Sequence, residues 1–171
     1  MLFIFTGCTN ELYNTPTKKV EIFFEKYQSL DQDVLDQLDT VATNKLSFTE
    51  EQKNRYILIM KRHYQALKYE IKDEKIDGDT ATVTTKIEVI DYSKILNKTN
   101  KYLEENKEEF YNEDGKYDQT LFNDYRLEQL EKAEDTVEYT IDISLSKIND
   151  EWTIDDISDE NENKIQGIYV Y

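Results

Sequence analysis

The chain has 171 residues, and its 37 acidic against 21 basic side chains give a net charge of -16. That balance excludes a nucleic-acid binder, because phosphate backbones are held by lysines and arginines that release counterions, and it excludes electrostatic docking on an anionic membrane. The length suits one domain with its own core. Thirteen Tyr, seven Phe and one Trp supply bulky core material, with Tyr suited to half-buried sites where the ring packs and the hydroxyl stays wet. A single Cys allows no internal disulfide, so the fold needs no oxidising compartment.

The N-terminal stretch Met1-Leu2-Phe3-Ile4-Phe5-Thr6-Gly7-Cys8 is apolar up to the lone cysteine and turns polar at once with Thr9-Asn10-Glu11. It resembles the end of a bacterial lipoprotein signal peptide, where an aliphatic residue, a small residue and Gly or Ala precede a lipidated Cys. Gly7 and Cys8 match that pattern and Thr6 is compatible with it, whereas Phe5 departs from the usual Leu. Seven residues are short for a leader with a basic head and an apolar run of roughly 7 to 15 residues, so the expected true start lies upstream. The resemblance implies that residues 1–14 are a signal remnant and tether, with a lipid on Cys8 as the sole membrane attachment. It also implies an extracytoplasmic, lipid-anchored location, with 15–171 forming a single domain. The competing reading makes Cys8 a small hydrophobe in a cytosolic chain.

Thr15-Pro16 predicts a helix start, since Thr can cap and Pro fits the first helical position. Val20, Phe23, Phe24 and Tyr27 follow at helical spacing. Ser29-Leu30-Asp31 breaks that helix, and Val34, Leu35, Leu38 and Val41 mark a second. Thr49-Glu50-Glu51-Gln52 reads as a capping box opening a third, with Tyr56, Ile57, Met60, Tyr64 and Leu67 on its buried side. His63 lies in this helix. With no second His and no Cys nearby, it reads as a surface histidine or one at the edge of the core, not a base or metal ligand.

Strands follow. Leu67, Tyr69 and Ile71 alternate, Asp77-Gly78 predicts a two-residue turn, and Ala81, Val83, Thr85, Ile87 and Val89 form the return strand. Ile76 is out of phase with the outgoing strand, which predicts a bulge near Asp73-Glu74. A helical insertion spans Tyr92 to Asp135, with Asp118 as a helix cap. Its Asn112-Glu113-Asp114-Gly115 loop fails as a calcium loop, because Phe110 and Leu121 fall where the terminal oxygen ligands belong. Val137, Tyr139, Ile141, Ile143 and Leu145 alternate again, Asn149-Asp150 supplies a turn, and Trp152 and Ile154 return. The acidic group Asp155, Asp156, Asp159 and Glu160 reads as solvated surface.

These elements predict an α+β fold, with a curved antiparallel sheet of about four strands packed on N-terminal helices and a helical insertion between two hairpins. The order, together with Cys8 and the closing segment Ser146 to Asp155, resembles the NTF2-like (cystatin-like) lipoproteins of Gram-positive bacteria. That resemblance implies a cone-shaped fold with an internal pocket, for which Phe23, Tyr27, Tyr64, Tyr139, Ile141 and Trp152 are the candidate lining residues. No catalytic residue, metal ligand or cofactor motif is expected. The function that follows is a membrane-tethered binding or interaction module for a small ligand or an envelope protein. The alternative is a cone-pocket isomerase or hydrolase, which would need a carboxylate such as Asp142 or Asp155 inside a closed cavity.

Overall fold

The computed structural model describes residues 13–45 and 47–170, so Cys8 and the rest of the lipoprotein-like stretch lie outside the described residues. Helix α1 (Pro16–Ser29) starts as its sequence dictates: the Thr15 hydroxyl accepts from the Lys18 N–H and proline occupies the first turn. Its Val20 and Phe24 are fully buried against the sheet. The helix ends at Leu30, which takes a left-handed φ of +55° so that the Leu30 and Asp31 N–H groups can reach the Tyr27 and Lys26 carbonyls. A non-glycine residue there costs about 1 kcal/mol, and packing of the Leu30 side chain against the helical core offsets it.

Helix α2 (Gln32–Thr43) is capped by Asp31, which accepts from the Asp33 N–H at 3.1 Å. It buries Val34, Leu38 and Ala42 at four-residue steps, which leaves Val41 exposed. Helix α3 (Glu50–Ala66) opens with a reciprocal capping box: the Gln52 N–H donates to the Thr49 hydroxyl at 3.2 Å, and the Thr49 N–H donates to Gln52 Oε1 at 3.1 Å. Its buried face runs through Ile59, Met60, His63 and Tyr64, with Tyr56 and Ile57 half-buried at its edge.

Strands β1 (Lys68–Asp77), β2 (Thr80–Ile90), β3 (Thr136–Ile148) and β4 (Glu151–Ile154) form one antiparallel sheet in sequence order. The insertion between its hairpins comprises α4 (Tyr92–Glu105), a 3-10 turn at Lys107–Phe110 and α5 (Gln119–Glu131), the last capped by Asp118. A short α6 (Asp159–Ile165) closes the domain. Asp77 pairs with Thr80, so the first hairpin turns on Gly78-Asp79, one residue later than predicted. Gly78 has φ +60° in the first central position, as a type II′ turn requires. The second hairpin turns where expected, with positive φ at both Asn149 and Asp150, the type I′ requirement. Asn14 ties the start of the domain to this turn, donating to the Asp150 carbonyl at 2.8 Å and accepting from the Trp152 N–H at 2.9 Å.

The β1 bulge falls at Lys72, between Ile71 and Asp73, slightly earlier than Ile76 implied. Ahead of it Tyr69 and Ile71 stand opposite Ile87 and Thr85, and after it Glu74 and Ile76 stand opposite Val83 and Ala81. The extra residue therefore turns Glu74 to the inner face. There Glu74 Oε2 accepts from the Thr17 N–H at 2.8 Å and the Thr17 hydroxyl at 2.7 Å, an anion set against the unpaired donors of the α1 N-terminus. Glu74→Ala should lower stability by about 1 kcal/mol, read as a lower urea midpoint at unchanged slope. An unchanged midpoint would mean that water replaces the carboxylate at no cost.

Two apolar clusters result. One lies between α1 and the sheet, from Val20 and Phe24 to Val83, Ile87, Ile141, Leu145 and Trp152. The other joins α2, α3 and α5 through Leu38, Met60, Tyr64 and Leu127, with Tyr92 at the start of α4. Tyr27 packs against both.

Candidate functional site

A half-open cavity of about 450 Å³ lies where the two clusters meet. Helix α1 contributes Phe23 and Tyr27, four residues apart and so on one face. Helix α3 contributes Tyr56 and Tyr64, eight residues or about two turns apart. These rings wall the cavity, and Asp36, Gln37, Thr40 and Val41 of α2 form one exposed rim. Ile157 and the Glu162, Ile165 and Gln166 side of α6 close the opposite edge. The rings interlock edge to face, with centroids 5.2 Å apart for Phe23 and Tyr27 and 5.0 Å for Tyr27 and Tyr64.

Burial pushes the phenols of all three tyrosines above their ordinary value. Neighbouring groups add to it: Glu162 for Tyr27, the Tyr92 phenol for Tyr56, and the Tyr27 and Tyr56 phenols for Tyr64. The three hydroxyls are thus neutral hydrogen-bonding groups, unsuited to act as bases at neutral pH.

Of the residues proposed from sequence as pocket lining, the structure brings Phe23, Tyr27 and Tyr64 together in this wall. Tyr139, Ile141 and Trp152 do not line the cavity. They are buried in the sheet cluster, because Val20 and Phe24 of α1 lie directly on that face and fill the space beside it. The sequence reading missed Tyr56, which shares the α3 face with Tyr64, and the α6 residues, because α6 itself was not predicted. The signals for α6 were its ends: Ser158 caps it and Gly167, at φ +68°, follows it.

His63 is not at the surface or the core edge: it is fully buried. Helix α6 covers it, and its Nε2–H donates to the Ile165 carbonyl at 2.8 Å while the ring stacks on Tyr92 at 5.0 Å. Nδ1 is buried and has no hydrogen-bond partner among the described residues. Burial, reinforced by Arg62, lowers its pKa to about 4 despite the bond to Ile165, so it stays neutral. It lies behind Ile165, outside the cavity wall.

Asp142 stands exposed on the outer sheet face and accepts from the Thr84 hydroxyl at 2.6 Å, and Asp155 is exposed as well. In the insertion loop the Asn112 side-chain oxygen is taken by the Asp114 and Lys116 N–H groups, which makes the loop a self-bonded polar turn. Glu160 pairs with Lys164 at 2.6 Å within α6. Among the described residues no group of three or more His, Cys, Asp or Glu is arranged to hold a metal ion, and no helix is long and apolar enough to cross a membrane.

No family model matches the chain, and no curated protein matches it. Among solved structures it is similar to that of a candidate lipoprotein, ycdA, from Bacillus subtilis subsp. subtilis str. 168, with a TM-score of 0.49 and 15% identity. The match covers 80% of this chain, and the chain spans 46% of the length of that protein.

Proposed function

We propose that the chain is a membrane-tethered binding module, anchored outside the cell by a lipid on Cys8 and carrying a small-molecule site in the cavity between α1, α2, α3 and α6. The observation that carries the binding reading is the cavity itself. A volume of about 450 Å³ falls within the roughly 300 to 1,000 Å³ typical of small-ligand sites. Its aromatic wall and polar rim also follow the usual division between affinity and orientation. The cavity lies among the helices and not on the inner sheet face, where the NTF2-like resemblance put the pocket and which α1 fills instead. The pocket carboxylates Asp36 and Glu162 stand exposed at the rim, which favours binding over the isomerase or hydrolase alternative with its desolvated acid or base.

The tether rests on Thr6-Gly7-Cys8 and the apolar run ahead of it. The protein should be expressed in a Gram-positive host with the codons preceding Met1 retained, as wild type and as Cys8→Ala, and the mature forms weighed by mass spectrometry. A diacylglyceryl mass on Cys8 that disappears in the variant is expected. An unmodified wild-type protein that keeps Met1 would overturn the anchored reading.

A further inference from the structure

We propose that the cavity's ligand is a compact organic ammonium ion, a quaternary or protonated amine on a short apolar body, held by the rings of Tyr27, Tyr56 and Tyr64 and balanced by Glu162 and Asp36. This inference rests on the reading of the cavity as a ligand site. Four features of the wall carry it.

The wall is aromatic on two sides, from α1 and from α3. Ring faces carry the negative part of the aromatic quadrupole and attract cations, most strongly where water is excluded. The charge of the lining has one sign: among the described residues that line it are two carboxylates and no lysine, arginine or histidine. The whole chain adds a net charge of -16, so the field at the mouth gathers cations and repels anions. The Tyr27, Tyr56 and Tyr64 hydroxyls make no hydrogen bond to another described protein group. They remain available to an ammonium N–H or to the polar end of a quaternary amine.

One of these rings already carries a protein ammonium on one of its faces, which leaves a ligand the other face of Tyr56 together with Tyr27 and Tyr64. Lys45 Nζ sits 4.5 Å from the centroid of the Tyr56 ring, and Lys45 is not among the cavity-lining residues. A neutral apolar ligand would use the rings but would cover three hydroxyls without giving them a hydrogen-bond partner, and would gain nothing from the two rim carboxylates. An anionic ligand would meet Glu162 and Asp36 directly. The ammonium satisfies the rings, the hydroxyls and the carboxylates together.

The test is a matched pair titrated into the isotope-labelled chain by NMR. One probe is choline, and the other is 3,3-dimethylbutan-1-ol, which replaces the quaternary nitrogen with carbon and keeps the shape. Choline should bind about tenfold or more tighter than the alcohol, with shifts confined to residues of the cavity wall. Glu162→Gln, at an exposed rim position, should weaken choline several-fold and leave the alcohol unchanged. Equal binding of the two probes, or tighter binding of the alcohol, would overturn the ammonium assignment and leave the cavity as a ligand site. So would failure of both while neutral fragments from a screening set perturb the same wall. If no small molecule perturbs the wall, the binding-module reading falls with it.

Discussion

Gly167→Ala is expected to lower the unfolding free energy by at least about 3 kcal/mol. Gly167 follows α6 at φ +68°, and the turn has the bonds of a Schellman cap, Gly167 N–H to the Lys164 carbonyl and Ile168 N–H to the Asn163 carbonyl. A methyl group there would lie 2.1 Å from the Ile90 carbonyl oxygen and 2.9 Å from His63 Cε1. The Ile90 oxygen belongs to the end of β2 and has little room to retreat. The next residue, Asp91, is held by its N–H to the Asp135 carbonyl, and the Ser93 N–H reaches back to the Gly167 carbonyl, each at 2.8 Å. The chain contains its own controls. Gly78 and Gly115 also have positive φ but open space around an added Cβ, so alanine there should cost only about 1 kcal/mol. Urea denaturation of the three variants side by side separates the backbone term from the collision. Equal losses at all three positions would show that the α6 turn yields easily.

Acidification from pH 6.5 to about 4 should remove up to about 3 kcal/mol of stability through His63 alone. The folded state holds the imidazole neutral with a pKa of about 4, against an ordinary value of 6.5. Between those values the unfolded chain binds the proton first. The contribution is therefore complete above pH 6.5 and falls as the pH drops toward the folded pKa. Among the described residues the ring meets the Ile165 carbonyl, the Tyr92 and Tyr64 rings and the field of the Arg62 cation, none of which stabilises an imidazolium at Nδ1. His63→Gln keeps a donor for Ile165 and removes the titration, so its stability should be nearly flat between pH 6.5 and 5. Below that range the carboxylates confuse the comparison, since those held low by lysine partners in the folded state, such as Asp135 and Glu151, are protonated first in the unfolded chain. Wild type and variant falling in parallel from pH 6.5 to 5 would exclude His63 as the source.

What could be read from sequence was whatever depends on neighbours along the chain. The Thr49–Gln52 capping box, the Asn149-Asp150 turn, the Asp118 cap and the alternating inner faces of β2 and β3 are local bargains between side chain and backbone, and all formed as predicted. The cavity joins segments more than a hundred residues apart, so no spacing rule announces it. Phe23, Tyr27 and Tyr64 were legible as apolar stripe residues, but a stripe does not say which members pack solidly and which line a gap. Helix α6 was invisible to periodicity because its seven residues bury only Ile165, leaving its caps as the sole signal. With α6 unread, the burial of His63 could not be foreseen, since the carbonyl that holds it belongs to that helix. Glu74 faces inward only because of the Lys72 bulge, and a one-residue shift in register reverses every assignment of face that follows it.

Asn14 sets the route by which a mechanical pull would enter the domain. Tension on the chain at Asn14 is shared between the backbone leading into α1 and the two Asn14 side-chain bonds, which pass part of the load into the β3–β4 turn. β4 is four residues long and stands at the free edge of the sheet. It would peel away from β3 one bond at a time, a weaker response than shearing long strands past each other. Tyr27 and the cavity lie about 17 Å farther along α1, at 1.5 Å of rise per residue. The sheet edge at the β3–β4 turn would therefore yield while the far end of the same helix, with the cavity beside it, keeps its shape.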